Sequence, residues 1–227
     1  KKYLLSTLAD GICVVLLSVC PILCYASAFS VKLEASVLIM AAVLFSIVFS
    51  LLSAFVKNNL KYALCMTVIA FVAFLVFVFA NERIFAQANY AINKLLELYS
   101  VYLSVYSNIK FASYIANDAT GFFVLLSLIL NGLFSFLISR IKSIKIAGLL
   151  SIALLVPCFV LVNTLPDLVP LLIIFTVLFA LYFSSQTRQL NYAHSGVITA
   201  VCAVILAVLI TVLAVINPVA DYERPKW

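Results

Sequence analysis

Two polar side chains inside apolar stretches, Asn131 and Asp10, are the first candidates for chemistry in this sequence. A carboxylate within a membrane is costly to bury and commonly functional. Asp10 also lies close to Lys1 and Lys2, so a helix-start acid stabilised by the helix dipole is the alternative, which we favour. For Asn131, we favour an interhelical hydrogen bond worth about 1 kcal/mol over the lining of a polar path.

The cysteines and the single histidine do not form a recognisable reactive set. His194 has no neighbouring acid or nucleophile motif, so we expect a polar role near the membrane surface. No C-x-x-C spacing, P-loop or H-E-x-x-H motif is present. We therefore predict no catalytic residue, no metal site and no cofactor. The six cysteines fall in apolar stretches and are expected to be small buried residues: Cys13, Cys20, Cys24, Cys65, Cys158 and Cys202.

The elements that hold these residues are those of an integral membrane protein. Of the 227 residues, 67% are hydrophobic and 10% are charged, whereas soluble domains are about half apolar and a quarter charged. A bilayer core about 30 Å thick needs about 20 helical residues to cross it. The predicted fold is an all-α bundle of about seven transmembrane helices, at residues 11–30, 34–56, 62–80, 120–139, 146–164, 168–185 and 195–217.

The distribution of lysine and arginine predicts the orientation of the bundle. With the N-terminus inside, the outer connections carry six bases and seven of the eight acids. The inner connections carry eight bases and no acid: Lys1, Lys2, Lys57, Lys61, Arg140, Lys142, Lys145 and Arg188. This bias accounts for the net charge of +6 without a nucleic-acid partner. We expect a multi-pass protein of the bacterial cell membrane, embedded in the lipid bilayer, with its C-terminus outside.

A cleaved first span is the alternative at the N-terminus. Ala26-Ser27-Ala28 resembles a signal-peptidase site after an apolar stretch that begins with two lysines. Asp10 and the length of the stretch argue against a signal peptide. The orientation of the other six spans is the same in both cases.

Residues 82–111 differ from the spans because apolar and polar positions both recur at spacings of three and four. This predicts an amphipathic extracytoplasmic helical segment. Such a segment lies on the outer leaflet by its apolar face, or its polar stripe is a docking surface for an outer domain, and the two roles are compatible. The polar stripe includes Asn93, Glu97, Ser100 and Ser104.

Two stripes of small residues predict close packing between helices, because small side chains let backbones approach. The stripe in the second span recurs every four residues at Ala42, Ser46, Ser50 and Ala54. The stripe in the last span includes Ala200, Ala203 and Ala207.

Three features of the sequence occur together in one known arrangement of membrane proteins. The first is the set of closely spaced spans with basic inner connections. The second is the outer segment Ala91-Ile92-Asn93-Lys94-Leu95-Leu96-Glu97-Leu98-Tyr99. The third is the exit from the last span, Val215-Ile216-Asn217-Pro218, followed by the polar residues 221–227. Together they resemble the N-terminal membrane region of bacterial transglutaminase-like membrane proteins.

The resemblance implies that the helices precede an extracytoplasmic domain of the transglutaminase or papain-like thiol type, with residues 218–227 as an exit linker. The family's catalytic Cys-His-Asp set would belong to that covalently linked domain, and no cysteine of this chain matches it. We therefore expect a membrane anchor or scaffold without catalysis of its own. The alternative is a small-molecule permease or transporter subunit, which Asn131 and the prolines inside two spans would permit. An intramembrane enzyme would need a polar cluster at one depth, which the sequence alone does not assemble.

Overall fold

In the computed structural model of the protein, the structure describes residues 2–56, 58–79, 81–103, 116–160 and 166–189. All regular structure within these ranges is helical. The helices are α1 (Lys2–Ala28), α2 (Ala35–Phe55), α3 (Asn59–Phe79), α4 (Asn81–Leu103), α5 (Thr120–Ser135), α6 (Ile144–Val160) and α7 (Leu168–Gln189), and a π-helical turn (Phe136–Ile141) continues α5.

The prediction of an all-helical protein with apolar, membrane-length helices is confirmed. Four helical segments in the described part are long and apolar enough to cross a bilayer: Asp10–Ala28, Ala35–Ser53, Asn59–Val76 and Thr120–Ile141. Shorter apolar segments, Ile144–Phe159 and Leu168–Phe183, lie in α6 and α7. The count of seven spans stays a prediction.

Several predictions of the sequence fall outside the described residues. They concern the last span at 195–217, the exit linker at 218–227, and the positions Ala200, Ala203, Ala207, His194 and Cys202.

The outer surface of the described bundle is apolar, most clearly on α2 and α3. Phe55 is 82% exposed, Leu60 74% and Phe79 86%. Soluble proteins rarely expose such a large contiguous apolar surface. This exterior fits a lipid environment, in which exposed apolar side chains have no water to avoid.

α1 is the central helix of the described bundle, and it packs against α2, α5, α6 and α7. Its side chains Leu17, Ser18 and Cys24 are completely buried. Because α1 begins at Lys2 and has no acid in its first turn, Asp10 lies within the helix. The expected helix-start role of Asp10 is therefore wrong. Pro21 and Pro157 lie inside α1 and α6, as predicted.

Hydrogen bonds between the connecting segments show the relative directions of the helices. At one end of the bundle, the backbone N–H of Ala119 donates to the Lys32 carbonyl oxygen at 3.0 Å. The N–H of Asp167 donates to Ser27 Oγ at the same end, at 2.9 Å. At the other end, Arg140 donates to backbone oxygens at the end of α2. Where the structure describes them, α2, α5 and α7 therefore run in one direction, antiparallel to α1 and α6.

The amphipathic segment predicted at 82–111 is the helix α4 over Asn81–Leu103, and residues 104–111 lie outside the described part. Ala88 and Ala91 of its apolar stripe are buried, and Ile84 and Leu95 are half-buried. α4 packs against α5 and α3. Its apolar stripe therefore contacts the bundle.

Candidate functional site: a buried polar row on α5

Four buried polar side chains follow one face of α5, and we call them the polar row: Thr120, Ser127, Asn131 and Ser135. Their spacings of seven, four and four residues place them on one side of a helix with 3.6 residues per turn. Asn131 and Ser127 are 0% exposed, Ser135 3% and Thr120 9%. A buried polar group needs a hydrogen-bond partner to offset its lost hydration.

Asn131 lies at the centre of the row and joins α5 to α1. Its Nδ2 donates to Ser18 Oγ of α1 at 2.9 Å and to the backbone oxygen of Ser127 at 2.9 Å. A carbonyl oxygen only accepts, so the amide nitrogen must face it. The hydroxyl of Ser18 in turn donates to the Val15 carbonyl at 2.9 Å. The structure thus places Asn131 in an interhelical hydrogen bond.

The other amide atom of Asn131, Oδ1, is buried and accepts no hydrogen bond from the described residues. Such an acceptor costs about 1–3 kcal/mol unless a donor reaches it. A small polar molecule that reached this atom would gain a hydrogen bond without displacing an existing one.

At the C-terminal end of the row, the π-helical turn aligns Arg140 with Ser135. An α-helix would place residue 139 above Ser135, whereas the wider i+5 turn brings residue 140 there. Tyr62 of α3 is within hydrogen-bond distance of Ser135, with 3.2 Å between Tyr62 Oη and Ser135 Oγ. The Arg140 guanidinium carbon lies 4.7 Å from the centroid of the Tyr62 ring, a cation–π geometry.

Arg140 also closes the C-terminal end of α2. Its Nη2 donates to the backbone oxygens of Ser53, at 2.9 Å, and of Val56. The last carbonyls of a helix have no intrahelical donor, so a cation there satisfies them and favours the helix dipole. Phe136, in the same turn as Arg140, stacks on the Tyr62 ring, with ring centroids 6.0 Å apart and an angle of 10° between the planes. One arginine therefore ties α5 to α2 and α3.

At the N-terminal end of the row, Thr120 joins α5 to the start of α2. Thr120 Oγ1 accepts from the backbone N–H of Glu34 at 3.0 Å. Gln87 of α4 accepts from the N–H of Phe122 at 3.0 Å through Oε1, which satisfies one of the unpaired donors at the start of α5. Gly121 permits this approach, because a Cβ at that position would lie 2.6 Å from Gln87 Oε1.

Replacement of Gln87 by alanine removes the side-chain cap of α5. We expect the free energy of unfolding to fall by about 1 kcal/mol, the usual value for a lost helix cap. The measurement is unfolding by dodecyl sulfate in mixed micelles, followed by circular dichroism. Arg83→Ala, at an exposed position of the same helix, is the control and should change the stability by less than about 0.5 kcal/mol. Equal stability of Gln87→Ala and the parent protein would contradict this role.

The small-residue stripe of α2 contacts α1 at Gly11. Ser46 Oγ donates to the Gly11 carbonyl oxygen at 2.9 Å, and Ala42 is completely buried. A Cβ added to Gly11 would lie 3.3 Å from Ser50 Oγ. The side chain of Ala54 is not among those the structure describes. Ser46 and Ser50 thus lie at the close contact with α1 that a small-residue stripe predicts.

The predicted docking stripe on α4 is described in part. Glu97 is exposed and pairs with Lys94, with 2.9 Å between Lys94 Nζ and Glu97 Oε2, and Asn93 is half-buried. The side chain of Ser100 is not described, and Ser104 lies outside the described residues. A docking function for this stripe stays a prediction.

The polar row contains hydroxyls and an amide, with the Arg140 guanidinium beside one end, and it has no carboxylate or imidazole. It therefore offers hydrogen bonds between helices and no general base near neutral pH. In the described part of the chain, no group of three or more His, Cys, Asp or Glu side chains could hold a metal ion. Cys13, Cys20, Cys24, Cys65 and Cys158 are free thiols.

Asn131 was predictable from the sequence, whereas its hydrogen-bond partner Ser18 was not. Thr120, Ser127, Asn131 and Ser135 have a helical spacing that is visible in the sequence. Tyr62, Arg140 and Gln87 reach the row from other elements, so no spacing within α5 could have identified them.

In comparisons with known proteins, the chain matches no family model, no curated protein and no solved structure.

Proposed function

We propose that this protein is a membrane scaffold, a rigid helical anchor without catalysis of its own. The observation that carries the proposal is the use of the polar row. Its hydrogen bonds connect α5 to α1 through Ser18, to α3 through Tyr62 and to the start of α2 through Glu34. A side chain that binds a transported substrate must exchange partners, whereas these groups are already paired between helices.

Burial supports the same function. Asn131, Ser127, Ser18 and Tyr62 are all 0% exposed, so the middle of the described bundle is packed around the polar row. Lipid provides little hydrophobic drive for helix association, and close packing with interhelical hydrogen bonds replaces it. The row therefore supplies the kind of interaction that fixes the relative positions of membrane helices.

The outer end of the bundle is the part of the scaffold that would hold an attached domain. The connections near Ser27, Lys32 and Glu34 bond to residues at the starts of α5 and α7. The attached domain that we propose is a covalently linked extracytoplasmic domain of the transglutaminase-like thiol type. Its basis is the resemblance to the membrane region of bacterial transglutaminase-like membrane proteins. The charge bias supports the proposed orientation, with the N-terminus inside a bacterial cell membrane.

A small-molecule permease is the second candidate, and one atom favours it. Asn131 Oδ1 is buried at mid-helix with no described donor, and Pro21 interrupts the hydrogen bonds of α1, which Asn131 contacts. A polar substrate would find an acceptor there. This candidate requires the bundle to open alternately at its two ends.

Distances between spin labels at the two ends distinguish these functions. In a cysteine-free variant in nanodiscs, one pair of labels at Glu34 and Asp167 reports on the outer end. A second pair at Lys61 and Lys145 reports on the inner end; all four side chains are exposed. The scaffold predicts one narrow distance distribution for each pair. Two populations, with the outer pair open when the inner pair is closed, would contradict the scaffold and support a permease.

A further inference from the structure

The inner end of the bundle, where α2 meets α3 and the π turn meets α6, has a concentration of exposed cations. Lys61, Lys142 and Lys145 are exposed. Arg140 holds the two connections together through its bonds to Ser53 and Val56, so these cations belong to one end of the molecule. Neither stretch, 53–63 or 136–147, contains an acidic residue.

Large apolar side chains are exposed beside these cations. Phe55 is 82% exposed, Leu60 74%, Ile141 47% and Ile146 49%. In a membrane protein, such side chains contact acyl chains, so the neighbouring lysines lie at the level of the lipid headgroups. A soluble acidic partner would have to cover this apolar surface as well, whereas a phospholipid contacts both parts at once.

Lys142 has a backbone conformation that a lysine rarely adopts. Its φ is 54° and its ψ is 29°, in the left-handed region, and its N–H donates to the Leu137 carbonyl to end the helix. Glycine is the common residue at such a helix end, because a Cβ is unfavourable there. A lysine at this position costs stability that a glycine would not, which indicates that the cation has a use of its own.

We propose that Lys142, Lys145 and Lys61 form a binding site for the phosphate headgroup of an anionic phospholipid. Lysine binds phosphate as a flexible point charge, and a cation near an anionic surface contributes about a five-fold gain in binding. The site rests on the membrane-scaffold function proposed above, because it requires the inner end of the bundle to face lipid headgroups.

Lys142→Gly is the variant that tests the site. Glycine suits the left-handed conformation, so this variant should unfold no more readily than the parent protein in zwitterionic phosphatidylcholine nanodiscs. Native mass spectrometry of protein released from mixed phosphatidylcholine–phosphatidylglycerol nanodiscs measures the enrichment of the anionic lipid. We expect enrichment to fall about five-fold in Lys142→Gly and further in Lys142→Gly/Lys145→Gln.

Lys32→Gln is the matched control, because Lys32 is exposed at the opposite end of the bundle and contributes only its backbone oxygen to a described hydrogen bond. Its enrichment should equal that of the parent protein. Unchanged lipid enrichment in Lys142→Gly, or an equal loss of enrichment in Lys32→Gln, would overturn the lipid site. Neither result would contradict the scaffold function. Failure of the parent protein to insert and fold in nanodiscs of either lipid composition would overturn both proposals.

Discussion

Replacement of Arg140 by methionine should lower the free energy of unfolding by about 2–3 kcal/mol. The change removes the charged hydrogen bonds to Ser53 and Val56 at the end of α2 and the cation–π contact with Tyr62. Methionine keeps much of the side-chain volume, so the loss reports on the guanidinium. The measurement is reversible unfolding by dodecyl sulfate in neutral mixed micelles.

Two further variants make the Arg140 result specific. Arg140→Lys keeps the charge and loses the planar fork, so it should recover less than half of the lost stability. Lys145→Met removes an exposed cation from the same end of the bundle, and it should change the stability by less than about 0.5 kcal/mol. If Arg140→Met were as stable as Lys145→Met, the role of Arg140 as the tie between α5, α2 and α3 would be wrong.

Gly132→Val should be the second strongly destabilising change, by about 1–3 kcal/mol. A Cβ at Gly132 would lie 2.6 Å from Met66 Cε and 3.4 Å from Phe49 Cζ. Met66 is on α3 and Phe49 is on α2. The Met66 methyl group must shift to admit a Cβ, and the additional Cγ atoms of valine then crowd the Phe49 ring, which already lies at contact distance. The same unfolding measurement applies.

Gly148→Val is the matched control for Gly132→Val. Gly148 is also inside a helix, α6, and a Cβ there would meet only Leu178 Cδ2, at 3.9 Å. The change in helix propensity is the same in both variants, so their difference measures the space available at each glycine. Equal stabilities of the two variants would show that α5 does not approach α2 and α3 at Gly132 as the structure has it.

The helices themselves were predictable because their cause is local. A stretch of about 20 apolar residues must satisfy its backbone hydrogen bonds internally in a membrane, and α1, α2 and α3 follow the predicted stretches to within a few residues at most ends. The start of α1 is the exception, because the helix begins at Lys2 and the predicted span begins at residue 11. Leu4, Leu5 and Leu8 recur at helical spacing in this stretch, so the sequence carries a signal for the longer helix. The predicted span begins after Asp10 because a charged residue interrupts the apolar run there.

The site was less predictable, because its partners come from separate elements. The helical spacing of Ser127 and Asn131 shows in the sequence, but Ser18 is far from both along the chain. The π turn is the clearest example. It brings Arg140 into line with Ser135, where the α-helical period points to Ser139 instead. The left-handed conformation of Lys142 is equally hidden, since glycine or asparagine is the expected residue there.

The interhelical bond between Asn131 and Ser18 tests the scaffold most directly, because it joins α5 to the central helix. A double-mutant cycle with Asn131→Ala, Ser18→Ala and the double variant measures their coupling in the free energy of unfolding. We predict a favourable coupling of about 0.6 kcal/mol or more, since membrane interhelical hydrogen bonds average about 0.6 and reach about 1.7 kcal/mol. Additive effects of the two changes would contradict a scaffold held together by the polar row.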